Sequence, residues 1–179
     1  DVYKRQVLTV SEHLLKETVS RISQAVDRHV VGSVATLEAA FPDGMAAPLD
    51  IRDEFDDIRT RFWIATSLHM DPNNYVYYGN KKGQAFGVFR HSFEEGELRI
   101  KYNPKKHRTF YKIQGIEGEP LFDSVEEKLF DPRVRPWYQA GQSTLDDTWT
   151  SVYIDFGTQD LVATRARQVL NAEGDAEGV

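Results

Sequence analysis

Two arginines, a tryptophan and a tyrosine crowd into one short stretch as Arg133, Arg135, Trp137 and Tyr138, inside the segment Phe130-Asp-Pro-Arg-Val-Arg-Pro-Trp-Tyr-Gln-Ala-Gly141. A guanidinium is a planar fork that grips a carboxylate through two parallel hydrogen bonds, and aromatic faces enclose an ammonium or an alkyl group. The chemistry on offer is recognition of a small polar or anionic molecule. Asp131-Pro132 favours a turn and Pro136 pre-sets φ for a first helical position, so Trp137 and Tyr138 stand on a fixed scaffold. The same parts can also pin a helix to a sheet. Trp137 then reads as core, Arg135 as the partner of Asp131 or Asp155, and Arg133 as a solvent-facing or helix-anchoring residue. Downstream lies Thr148-Trp-Thr-Ser-Val-Tyr-Ile-Asp155. In an extended strand Ser151, Tyr153 and Asp155 share a face that would line a pocket, and Phe156 points the other way into a core. Tyr78 and Arg90 are further pocket candidates, whereas Tyr75, Tyr77 and Phe86 read as packing residues.

Paired groups for catalysis do not emerge. Asp146-Asp147 and Glu94-Glu95 are adjacent pairs, which on a strand diverge and on a turn are solvated. His13, His29, His69, His91 and His107 never fall at a metal-ligand spacing, and Gly-x-Ser-x-Gly, P-loop and Gly-x-Gly-x-x-Gly patterns do not occur. With no cysteine there is no disulfide, thiolate metal site or cysteine nucleophile. The region is expected to be no enzyme and to use neither cofactor nor metal. The net charge of -6 and the lack of any basic run beyond Lys81-Lys82 or Lys105-Lys106 speak against nucleic acid as a partner.

The elements that must position the cluster follow from periodicity. Leu15, Val19, Ile22, Val26, Val30, Val34, Leu37 and Phe41 recur in steps of three and four, which predicts a long helix over residues 11–41, capped by Ser11 and ended by Phe41-Pro42-Asp43-Gly44. At about 1.5 Å per residue it would be a rod of about 45 Å, suited to packing across a sheet or to serving as a signalling stalk, two compatible roles. Residues 1–10 are a terminal remnant or the start of that helix. Ile51, Phe55, Ile58, Phe62 and Ala65 mark a second helix with Asp50 as its cap. Then the period changes. Asn74–Tyr78 and Ala85–Arg90 are aromatic and β-branched and read as a hairpin across Gly79–Gln84. Weaker strands are expected at Glu97–Tyr102 and Arg108–Ile113, a short helix near Trp137, strands at Trp149–Phe156 and Leu161–Leu170, a turn at Asn171–Asp175, and another strand beginning at Gly178. The fold class is α+β: a long N-terminal helix on an antiparallel sheet of about five strands, with short helices on the other side. Apolar content of 40% suffices for one core.

Four features together resemble the Cache sensor family, in particular the membrane-distal, PAS-like module of double Cache domains. They are the Asn74-Tyr-Val-Tyr-Tyr-Gly-Asn80 hairpin with Gly83–Val88, the Asp131-Pro-Arg-x-Arg-Pro-Trp-Tyr138 motif, the Trp149-Thr-x-x-Tyr153 strand, and the closing Gly178-Val179. The variant is most similar to sensors carried by bacterial diguanylate cyclases, with chemoreceptors and histidine kinases as other hosts. The resemblance implies a PAS-like sensor module over residues 42–179, truncated at its end, in a parent protein anchored in the inner membrane with this domain periplasmic. It implies ligand contacts at Arg135, Trp137, Tyr138 and Tyr153. Where family members that bind amino acids carry a tyrosine, this chain has Phe130, and their ammonium-holding aspartate would fall beyond Val179. The expected ligand is a small carboxylate, amino acid or amine. A ligand-free dimerisation module built on the long helix is the alternative. No window holds the roughly 20 apolar residues of a membrane-spanning helix.

Overall fold

The computed structural model describes residues 2–70 and 74–179, and the chain divides into two compact units, Asp1–Val34 and Ala35–Val179. The first unit is helix throughout its described length. It belongs to α1, Val2–Ala40, so the helix is already formed at Val2 and Ser11 lies inside it rather than capping it. An interior serine costs a helix only a few tenths of a kcal/mol, about the scale of ordinary propensity differences, so the apolar stripe outweighs the cap signal. Leu15, Val19, Ile22 and Val26 are all more than half exposed along that stripe.

In the second unit the end of α1 delivers Ala40 and Phe41 into the main core. Helix α2, Phe55–Ser67, begins later than Asp50 suggests, because residues 51–54 form a turn and Asp50 instead holds the Arg52 backbone and guanidinium. Its Ile58, Phe62, Trp63 and Ala65 are buried. At about 1.5–3 kcal/mol per large side chain, that face is what fastens the helix to the sheet.

The sheet is a five-stranded antiparallel meander in the order β1 (Tyr75–Gly79), β2 (Ala85–Arg90), β3 (Glu95–Lys101), β4 (Thr109–Gln114) and β5 (Leu121–Val125). With the long helix and the short helices below, this is the α+β class the periodicities predict. The sheet's two faces separate by strict alternation. Val76, Tyr78, Phe86, Val88, Leu98, Ile100 and Ile113 meet α2 and the end of α1 in the main core. The opposite face carries a second, smaller core of Ala85, Phe130, Trp137, Tyr138, Ala166 and Val179 under the short helices. These are the 3-10 turn Pro132–Val134 and α3, Pro136–Gln142.

Beyond α3 the chain departs from the two long strands expected. It runs as two-residue ladders: β6 (Thr148–Trp149) with β9 (Arg165–Ala166), β7 (Tyr153–Ile154) with β8 (Leu161–Val162), and β10 (Val169–Leu170) with β11 (Ala176–Gly178). Asp155 Oδ1 collects the Gly157 and Thr158 N–H groups at 2.9 and 2.8 Å, which closes the turn between β7 and β8 from the last residues of the first expected strand. The 171–175 turn forms as expected, with Asn171 N–H donating to Asp175 O at 2.8 Å. β11 then reaches the open side of β1, where Gly79 and Val179 exchange two 3.0 Å backbone hydrogen bonds.

Candidate functional site

The site is built on the sheet face opposite α2. Tyr77, Gly87, Arg99 and Phe110 are successive partners across β1 to β4, and Tyr75, Phe89, Glu97 and Lys112 form the neighbouring row. Gly87 is needed here: a β-carbon would sit 2.6 Å from the Tyr75 ring, so its absence lets that phenol lie across β2. Arg99 is centred 4.9 Å from the Tyr75 ring and 5.3 Å from Phe110, and Glu97 binds its Nε at 2.6 Å. Burial alone would pull the Arg99 pKa down, but Tyr75, Glu97 and Asp155 outweigh it and raise it.

The Asp-Pro-Arg-x-Arg-Pro-Trp-Tyr segment closes over this face. Asp131 caps the 3-10 turn by accepting from Arg133 N–H at 3.0 Å, and its carboxylate takes the Arg133 guanidinium at 2.9 and 2.7 Å. Those bonds hold the Asp131 pKa below its ordinary value. Arg133 therefore anchors the turn and stays exposed, outside the pocket. Arg135 falls between the turn and α3 with φ -85° and ψ 147°, the extended conformation a following proline favours. Its backbone N–H donates to Pro132 O and its carbonyl accepts from Gln139 N–H, so its main chain is held from both sides. Trp137, buried, is edge-on to Tyr77 at 4.8 Å. Gly79 permits this docking, since a β-carbon there would stand 2.6 Å from Pro132 Cβ and 3.0 Å from the Trp137 ring.

The result is a small, partly solvent-open pocket whose free interior of about 20 Å³ is room for little more than one water molecule. Tyr75, Tyr77, Trp137 and Tyr153 line it together with Phe130, Phe156 and the charged Arg99, Arg108, Arg135 and Asp155. Tyr77 and Tyr153 both point their hydroxyls at Thr164 Oγ1, at 2.9 and 2.7 Å. Burial, with Tyr153 adding to it, pushes the Tyr77 pKa well above its ordinary value, so the phenol stays neutral.

The arginines differ in what occupies them. Arg108 stacks 3.7 Å from the Phe130 ring centre, and Glu126 takes its Nε and Nη2 at 2.8 and 2.5 Å. Arg135 stacks 4.8 Å from Phe156 but makes no salt bridge to any described carboxylate. Neither Asp131 nor Asp155 pairs with it: the first holds Arg133, and Oδ1 of the second closes its own turn, taking Thr158 Oγ1 at 3.3 Å as well.

Arg135, Trp137, Tyr153 and Asp155 thus converge on one pocket, and Tyr78 joins its lining. The Tyr78 hydroxyl lies on the main-core side near Gly178 and has no hydrogen-bond partner among the described residues. Tyr138 is buried in the smaller core and lies outside the lining. Arg90 is far from it: its guanidinium lies 3.6 Å from the Trp63 ring and donates to Trp63 O, Ser67 Oγ and Phe93 O, tying α2 to the sheet. Phe156 corrects the strand reading, because the Asp155 turn breaks the alternation and turns its ring into the pocket wall. Arg99 and Arg108 went unread as site residues, since only strand register brings them beside Tyr77 and Phe130. No group of three or more metal-ligating side chains occurs among the described residues. No protein-family model and no curated protein matches this chain.

Proposed function

We propose that this chain is the extracytoplasmic ligand-sensing domain of a membrane-bound bacterial signalling protein, of the kind that carries a diguanylate cyclase, chemoreceptor or histidine kinase output, and that it is not itself an enzyme. One observation carries this reading: an aromatic-walled pocket containing Arg135, a guanidinium stacked on Phe156 without a carboxylate partner among the described residues. A guanidinium fork in such a pocket is suited to binding an anion. The likeness of Asp131–Tyr138 to the Cache motif supports the assignment to a sensor, and with it a periplasmic place at the inner membrane.

A ligand changes such a domain only by binding one conformation better than another. The pocket is roofed by the turn and α3 and floored by β1 to β3, so a bound anion would bridge these layers and favour their closed arrangement. A second copy of the chain is the proposed partner, because the α1 stripe of Leu15, Val19, Ile22 and Val26 is exposed at helical spacing. A thermal-shift screen of carboxylates, amino acids, amines and purines tests the binding reading. At least one class should raise the melting temperature in wild type and fail to do so in Arg135→Ala; a hit that binds the variant equally well would remove the site from this pocket.

A further inference from the structure

We infer that one end of the five-stranded sheet is a docking surface for an acidic segment of a partner protein, a surface separate from the Arg135 pocket. The chain has two lysine pairs, Lys81-Lys82 and Lys105-Lys106, far apart in sequence. Strand register brings them together. Ala85 pairs with Lys101 and Thr109 with Val125, so the β1–β2 turn, the β3–β4 loop and the segment after β5 all emerge at the same end of the sheet. They meet at Gly83, where a β-carbon would stand 3.1 Å from Pro104 Cβ and 3.2 Å from Arg133 Cζ. Lys82, Lys105, Lys106 and Arg133 therefore belong to one continuous surface.

The carboxylates at this end are already occupied. Glu177 takes Lys81 at 2.6 Å, Glu126 takes Arg108 at 2.5 Å, and Asp131 takes Arg133 at 2.7 Å. Glu173 and Asp175 act on Lys81 as well, and Glu127 is offset by its neighbour Lys128. Lys82, Lys105 and Lys106 are left over: all three are exposed, and none pairs with a described carboxylate. Lys82 Nζ donates to Leu49 O at 2.6 Å, which uses one of its three N–H groups. Asn103 accepts the Lys105 N–H at Oδ1 and the Lys106 N–H at its carbonyl, so a turn fixes their backbone while both ammonium groups stay in water. Beneath them lies buried Lys101, which donates to Phe130 O and to no described carboxylate. In a chain of net charge -6, this end carries a surplus of positive charge.

The partner's chemistry follows from what surrounds these cations. Leu49, Leu129 and Val134 are each more than half exposed on the same segments. A matching surface supplies carboxylates to the ammonium groups and aliphatic side chains to the leucines and valine, as protein interfaces do. Nucleic acid is gripped by free guanidinium planes and stacked aromatic rings, but Arg133 is held by Asp131, and these loops expose no Phe, Tyr or Trp. A bilayer surface likewise favours aromatic anchors that these loops lack.

The test is fluorescence anisotropy of the 179-residue chain with a labelled synthetic Glu-Leu-Asp repeat peptide and its uncharged Gln-Leu-Asn counterpart. At about 0.02 M salt the acidic repeat should bind roughly tenfold or more tightly than the uncharged one, and the difference should vanish at about 0.5 M salt. Lys105→Glu combined with Lys106→Glu should abolish the preference, with circular dichroism and melting temperature unchanged. Lys16→Glu combined with Arg28→Glu, which makes the same change in net charge on exposed positions of α1, should leave it intact. Equal binding of the two repeats, or a preference that survives reversal of Lys105 and Lys106, would overturn the surface. Tighter binding of phosphatidylglycerol vesicles or duplex DNA than of the acidic repeat, lost in the same double variant, would overturn the choice of a protein partner.

Discussion

Removing Glu126 should unlock the wall on which the pocket depends. The Arg108 and Glu126 side chains are 5% and 11% exposed, and they meet through two hydrogen bonds at 2.8 and 2.5 Å. A pair so withdrawn from water is worth little against an apolar replacement, but losing one member strands the other, at about 3–5 kcal/mol. Glu126 follows the exposed edge strand β5, through which water can partly rehydrate Arg108, so Glu126→Ala should cost about 3 kcal/mol, the lower end. With a urea m-value of about 2 kcal/mol/M for a domain of this size, the midpoint should fall by roughly 1.5 M. Glu126→Gln keeps one acceptor oxygen and should lose about half as much, and replacing both residues by methionine should return stability to within about 1 kcal/mol of wild type. Equilibrium urea denaturation followed by tryptophan fluorescence measures all three. A Glu126→Ala midpoint within roughly 0.3 M of wild type would refute the argument, because the pair would then behave as a solvated surface bridge.

Other outcomes follow from the same contacts. Asp131→Asn should lower stability by about 1 kcal/mol at neutral pH through the weakened cap and lost ion pair. Because the native pKa of Asp131 is depressed, its contribution is present above the unfolded carboxylate range and disappears as pH falls below about 4, so the two stability curves should converge in acid. Gly79→Val should force Pro132 and Trp137 off β1, costing about 1–3 kcal/mol and abolishing ligand-induced thermal shifts. Ile22→Glu, on the exposed α1 stripe, should convert a dimer to a monomer in sedimentation analysis without altering ligand affinity; an unchanged sedimentation profile with wild type already monomeric would refute dimerisation through α1.

Local signals carried a good part of this structure. The aromatic and β-branched runs Asn74–Tyr78 and Ala85–Arg90 were enough to reveal the hairpin, and the Ile58 and Phe62 spacing to reveal α2. Where physics is nonlocal the sequence was silent. All of β5 but Ser124 is exposed, so no apolar alternation marks it, and its existence is set by pairing with β4. Asp155 read as a strand residue because its turn depends on which backbone N–H groups come within reach of Oδ1. Arg135 and Trp137 could be named from the proline framework around them. That Arg99 and Arg108 stand beside them needed the Tyr77–Gly87–Arg99–Phe110 register, and that Arg135 rather than Arg133 is left without a carboxylate needed the Asp131 geometry. Arg90 was a pocket candidate in the sequence, yet it points through the opposite face of the sheet onto Trp63.

The central claim is that the Arg135 pocket binds a small anion, and a crystal structure of the chain with the tightest-binding screened carboxylate tests it most directly. The carboxylate should lie on the Arg135 guanidinium with its body between Tyr77, Trp137 and Phe156. A ligand bound elsewhere, with Arg135 turned to a protein carboxylate, would contradict it.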